Sequence, residues 1–307
     1  MIGLRRPLRT KRAPVSTPGL ISDSDLKGPH VRWALGGVHV LLMIFLLLIG
    51  LGPILWLVKS AFTPTPDIYS YPMELFPGGS TLSNIRDAWT DVNVGHYFFN
   101  AVKLSIGSWL VQIVVAATGG YVLSVLRPRY APVLTGLLLG TLLLPPVVLI
   151  IPLYLEIVDP PLIDHSFSDS YWAIWLPAGA SAFNVILVKR FFDNLPRALF
   201  EAAELDGAGP YRMFFLIVLP LSKPILGVVS IFAILAEYRN FLWPYVVLFS
   251  SPEKQPISVR LIAIQSQTTL GVLMAAMLIA SILPIVGFLI FQRSFIRGTG
   301  LGGALRG

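Results

Sequence analysis

Residue types that do chemistry are sparse in this chain and poorly grouped. The four histidines, His30, His39, His96 and His165, stand at spacings no metal ion uses. No Ser/His/Asp set and no carboxylate pair can be placed at one depth of the chain. Cysteine is absent, which excludes disulfides, thiol catalysis and cysteine-ligated zinc. The string Gly298-x-Gly300-x-x-Gly303 has dinucleotide-turn spacing but no strand before it and no helix after it. A Gly-x4-Gly-Lys-Ser/Thr phosphate loop occurs nowhere, so any ATP hydrolysis belongs to another chain. No catalytic residue, metal ligand or directly bound cofactor is assigned.

One polar segment, residues 193–210, interrupts an otherwise apolar stretch and has the punctuation of a short helix. Asn194 is placed to cap the first turn, Pro196 suits an early position where its missing N–H costs nothing, and Gly207 suits the left-handed residue that ends a helix. Leu195, Leu199, Ala202 and Ala203 fall at i, i+4, i+7 and i+8, so they share one face, with Glu201 and Glu204 elsewhere. A face of leucine and small alanines lets a partner's backbone approach closely. The pattern fits a docking helix for another protein and equally a helix lying on lipid headgroups.

The elements around this segment belong to a membrane protein. Hydrophobic residues make up 55% of the 307, charged ones 13%, and the mean hydropathy of +0.74 is too apolar for a soluble domain. A bilayer needs roughly 20 helical residues per crossing. Six segments qualify, near 38–58, 101–126, 131–157, 171–191, 214–242 and 268–291. The expected fold is therefore all-α and integral to the membrane, with six transmembrane helices and a short cytoplasmic helix, 195–207, between spans four and five.

Charge sets the orientation. With six spans both termini lie on one side, and 17 of the 23 basic residues precede span one, follow spans two and six, or surround the fourth-to-fifth connection. Positive loops stay in the cytoplasm. The first and third connections past the opposite face hold acids instead, among them Asp67, Glu74, Asp159 and Asp164. The net charge of +7 is thus a topology signal, and nucleic-acid binding is not expected. Residues 1–32 are expected to form a disordered, basic cytoplasmic arm rather than a cleavable leader, 33–298 the six-span membrane domain, and 299–307 a cytoplasmic tail. Within the domain, 61–95 is an external segment whose prolines and Gly78-Gly79 forbid one continuous helix, with a short surface helix expected at 82–89.

Polar groups inside the spans carry two readings each. Pro145-Pro146, Pro152, Pro177, Pro220, Pro224 and Pro284 either kink helices or break them to line a path. Gln112, Asn184 and Gln265 either bond helix to helix or meet a solute. Gly136-x3-Gly140 is a possible close-packing pair.

Glu201-Ala202-Ala203, three residues, Gly207, nine residues, Ile217, one residue, Leu219-Pro220 matches in full the Glu-Ala-Ala-x3-Gly-x9-Ile-x-Leu-Pro pattern. On those residues the chain resembles the permease subunits of bacterial ATP-binding-cassette importers. Phe291 to Gly298, followed by Gly303-Ala304-Leu305-Arg306-Gly307, resembles the tail of maltose-type sugar permeases, as does Ile151-Pro152-Leu153-Tyr154 in span three.

The resemblance implies a permease of the inner membrane that forms half of a translocation path for a sugar or related polyol. Its implied partners are a second permease subunit, two ATPase subunits that bind ATP and Mg²⁺, an extracytoplasmic solute-binding protein and membrane lipid. It assigns ATPase coupling to Glu201, Ala202, Ala203, Asp206 and Gly207, and a further tail contact to Gly303, Ala304 and Gly307. Tyr154 and Asn184 lie on spans that line the path in that family. Where the family commonly has Trp-Asn-acid-Phe, this chain reads Tyr238-Arg239-Asn240-Phe241. Arg239 then either snorkels to the surface or pairs with Glu237, or else faces the path with Asn240. The competing classes are a self-sufficient carrier or channel, expected to show repeats or paired intramembrane charges, and a lipid-modifying enzyme, expected to show clustered acids or histidines.

Overall fold

The computed structural model describes residues 29–161 and 163–304. Every regular element among them is helical. The expected arm falls almost wholly on residues outside this range. The chain divides into two units, Met1–Trp56 and Leu57–Gly307. In its described part the first is most of one helix, α1 (Pro29–Ala61), whose apolar side chains from Val40 to Ile49 are all exposed. A helix apolar all round and facing outward fits a lipid solvent.

The second unit begins with α2 (Thr65–Ser70) and α3 (Ser83–Thr90), the short helices of the proline- and glycine-rich segment. Asn84, 4% exposed, fastens α3 to the preceding chain by donating from Nδ2 to the carbonyls of Ala61 at 3.2 Å and Thr63 at 2.8 Å. The long α4 (Val94–Tyr121) starts seven residues before the expected span and runs on through a π turn, Val122–Leu126. It is the central helix and packs against α7 (Trp172–Ala178), α8 (Ala182–Asp193) and α12 (Lys223–Tyr238).

Small residues set how closely these helices approach. A Cβ on Gly107 would sit 2.2 Å from the Trp175 ring, and one on Gly120 would sit 2.8 Å from Val188 and 3.1 Å from the Lys189 backbone nitrogen. By contrast, Gly136 and Gly140 meet nothing within 4 Å, so among the described residues that pair packs against no helix. Gln112 on α4 accepts a 2.6 Å hydrogen bond from Asn184 Nδ2 on α8, a buried helix-to-helix bond.

Two of the expected straight spans are broken. The third consists of α5 (Ala131–Thr141) and, beyond a 3-10 turn, α6 (Ile150–Val158); the axes of 131–141 and 146–158 differ by 106°. Pro145 is extended, and neither it nor Pro146 has an N–H to continue the ladder. The fifth bends by 75° at Ser222, between Pro210–Leu221, which holds α10 (Pro210–Met213), a π turn and α11 (Leu219–Leu221), and α12. Pro220 and Pro224 flank the bend, and the Ser222 hydroxyl donates to the carbonyl of Val218. The span expected as 214–242 therefore ends in α12 at Tyr238. Short helices α13 (Leu242–Val247) and α14 (Ile257–Ile264) follow, then α15 (Leu270–Ala304), which packs on α12.

Among the described residues four helices are long and apolar enough to cross a membrane, and the number reaches six when each bent pair is taken as one crossing. Overpacking at the closest contact is measurable. Gly120→Val should destabilise the purified chain by about 1–3 kcal/mol, read as a lowered thermal midpoint in detergent, whereas Gly136→Val should leave the isolated chain's midpoint in place.

Candidate functional site

The polar segment forms α9 (Arg197–Leu205). It starts two residues later than expected, because Pro196 is extended at its entry, and Asn194 turns back to donate from Nδ2 to the Arg190 carbonyl at 2.7 Å, closing α8 instead of capping α9. Its end has the expected form. Gly207 adopts φ +76°, its N–H donates to Glu204 O at 3.0 Å, and the Ala208 N–H donates to Ala203 O at 2.9 Å. That pair of bonds is the left-handed glycine stop, which a side chain at position 207 would strain.

The face expected to be shared by Leu195, Leu199, Ala202 and Ala203 is divided. Ala203 is 7% exposed and packs, with the half-buried Leu195 and Phe200, into a cluster holding Val188, Phe192 and Met213. Ala203 thus seats α9 on its own chain. Turned away from that cluster are Ala198, Glu201, Ala202 and Leu205, all exposed, with Leu205 at 90%. Positions 198, 201, 202 and 205 form one stripe by helical spacing, and Asp206 and Gly207 are exposed at its end. Periodicity identifies which residues share a face; it does not say which face meets the chain's own core.

Asp193, the last residue of α8, fixes where α9 departs. Its Oδ1 accepts from Ser124 Oγ at 2.7 Å and faces Arg127 at 3.5 Å, and its Oδ2 accepts from Lys189 Nζ at 2.7 Å. A polar cleft of about 250 Å³ lies between this knot and α9, lined by Arg127, Arg197, Glu201 and Glu204 among others.

The four residues expected on a solute path are not brought together. Asn184 donates from Nδ2 to Gln112, while its Oδ1 is buried with no hydrogen-bond partner among the described residues, and Tyr154 is half-buried against the cluster around Trp243 and Ile174. Arg239 is exposed and donates from Nε to the Leu235 carbonyl at 3.2 Å, pairing with no acid among the described residues. Asn240 lines a cavity of about 390 Å³ between the broken third span, α7 and the end of α12. It shares that cavity with Glu237, which sequence reasoning treated solely as a partner for Arg239. A carboxylate on a predominantly apolar helix was the available signal. As for the tail, Gly303 and Ala304 lie in the last helical turns of α15, with side chains outside the described residues, and Gly307 lies outside them altogether.

The family model described as the binding-protein-dependent transport system inner membrane component matches residues 112–300. The chain belongs to this family, and it is a membrane permease subunit of an ATP-binding-cassette importer. The probable ABC transporter permease protein YurM of Bacillus subtilis is 32% identical over 89% of this chain and 90% of its own length. The diacetylchitobiose uptake system permease protein NgcG of Streptomyces coelicolor is 30% identical over 83% and 84%. The sn-glycerol-3-phosphate transport system permease protein UgpE of Yersinia enterocolitica is 31% identical over 85% and 94%. A chain of a bacterial ABC transporter crystal structure, involved in import of the acidic polysaccharide alginate, shares the fold, with a TM-score of 0.75 at 21% identity over 90% of this chain and 99% of that one.

The divided face of α9 predicts unequal chemistry. In this cysteine-free background a membrane-impermeant maleimide added to opened membranes should modify Ala202→Cys and Leu205→Cys readily, and Ala203→Cys at least about tenfold more slowly. Equal rates at the three positions would refute the packing of Ala203.

Proposed function

We propose that this chain crosses the membrane six times with both termini in the cytoplasm, and that it forms half of the path by which an importer moves a sugar or related polyol inward. Its partner across the path is a second, different permease subunit. A solute-binding protein delivers the solute from outside, and two ATPase subunits below bind ATP and Mg²⁺ and supply the work. The chain itself catalyses no reaction.

The observation that carries this reading is the outward stripe of α9. A nine-residue helix is too short to be stable alone, yet this one is held by Ala203 and Phe200 inside and by a glycine stop at its end. It presents Ala198, Ala202 and Leu205 with Glu201 and Asp206 at the margin. Two small residues beside one large apolar side chain make a knob with a flat surround, suited to a cleft on a partner. The coupling function therefore falls on Glu201, Ala202, Leu205, Asp206 and Gly207 as contact residues, with Ala203 as the seat. The basic residues near α9, Lys189, Arg190, Arg197 and Arg212, support a cytoplasmic position for it. The sugar class is supported by the relatives, one named for diacetylchitobiose uptake.

The test is purification of the tagged chain from its native membranes in mild detergent. An ABC ATPase should copurify, and Ala202→Cys should crosslink to it with a short thiol reagent, while Leu205→Asp should lower recovery of the ATPase by about tenfold or more with the chain's own yield unchanged. Recovery of the chain without any ATPase would overturn the proposal.

A further inference from the structure

Glu237 ends in the cavity that the broken third span opens. The walls are supplied by Pro146, Val147, Ile150 and Leu153 from that span, Pro177 and Ala178 from α7, and Trp243 from α13. Its polar groups are the Glu237 carboxylate and the Asn240 carboxamide, which donates to Glu237 Oε1 at 3.5 Å. No basic side chain is among the lining residues, the neighbouring Arg239 is turned out to its own helix backbone, and both ion pairs among the described residues are on Asp193. A carboxylate held in an apolar wall without a cation is costly, and within a membrane protein such a group marks a place where charge is read. Counting from Lys223, Glu237 lies 14 residues along α12, about 21 Å from the α9 end of the helix.

We infer that Glu237 makes this cavity a charge filter on the outer part of the solute path: it admits neutral, hydroxyl-bearing or cationic solutes and rejects anionic ones. The inference rests on the permease reading above and sharpens its solute class. A carboxylate accepts hydroxyl and ammonium protons, and the apolar walls bear on the C–H faces of a sugar. A phosphate or carboxylate at the same place meets a like charge a few ångströms away, with no compensating cation on this wall, and its occupancy falls by roughly a hundredfold. Specificity here comes from the repulsive element. Among the relatives, this separates the chain's solute from the sn-glycerol-3-phosphate named for one of them and aligns it with the uncharged diacetylchitobiose of another.

The experiment needs no knowledge of the solute. Ala178→Cys, and independently Val147→Cys, place a single thiol in the cavity wall of the full chain in sealed, right-side-out membrane vesicles. The probes are a trimethylammonium-ethyl and a sulfonato-ethyl methanethiosulfonate, added outside at about pH 9, so that the carboxylate is charged even in its apolar wall. The cationic reagent should react about tenfold faster or more than the anionic one, and Glu237→Gln should bring the ratio close to one in both backgrounds. A ratio near one with Glu237 present, a ratio unchanged by Glu237→Gln, or no reaction at either thiol overturns the filter. A chain that fails here but still copurifies with its ATPase loses the filter alone, whereas one that copurifies with none loses the permease arrangement on which the filter rests.

Discussion

Three donors meet at the carboxylate of Asp193, from Ser124 and Arg127 at the end of α4 and from Lys189 one turn earlier on α8. Arg127 is half exposed, so that ion pair is screened and contributes little; the two 2.7 Å bonds carry most of the interaction. Its consequence is geometric. It holds the ends of the two helices that also pack through Gly120, and the chain leaves this fixed corner directly into Pro196 and α9. The short helix inherits its position from the long ones, so in the proposed function a push on α9 would reach them as a unit.

In the proposed function, work delivered at α9 would pass through the same contacts. Ala203 and Phe200 pack against Val188, Phe192 and Met213, and Met213 leads into the bent segment that ends at Ser222. From there α12 runs along α4 and α15 to Glu237 and Asn240 at the cavity. The two sites are thus linked by one helix, bent at one end where prolines remove ladder bonds and opening at the other onto the broken third span. Packed helices have discrete arrangements rather than a continuous give, so on the proposed reading a shift at α9 would be passed to the cavity wall instead of being absorbed.

Much of this was legible in the residues. Apolar runs locate the crossing helices because lipid admits little else, and the glycine at 207 marks the end of α9 because few other residues take φ +76° cheaply. Pro145-Pro146 announced a disturbance, though not an angle of 106°. Other features were hidden for physical reasons. The bend at Ser222 depends on how two prolines share one turn, which composition does not convey. The 2.6 Å bond between Asn184 and Gln112 depends on how α8 faces α4, which spacing along the chain does not convey. The facing of α9 depends on what lies beneath it, and only the tertiary packing turned Ala203 inward and left Ala202 and Leu205 outside. Glu237 was overshadowed by Arg239, although the acid faces the cavity and the arginine does not.

The central claim is that the α9 stripe is where this permease receives work from its ATPase. Hydrogen–deuterium exchange along residues 197–207, with and without the ATPase subunit in the same detergent, measures it most directly. Docking should slow exchange across α9 by about tenfold or more, because a helix this short opens locally unless a partner covers it, while exchange in α15 stays as it was. Exchange in α9 that is indifferent to the bound ATPase would contradict the account.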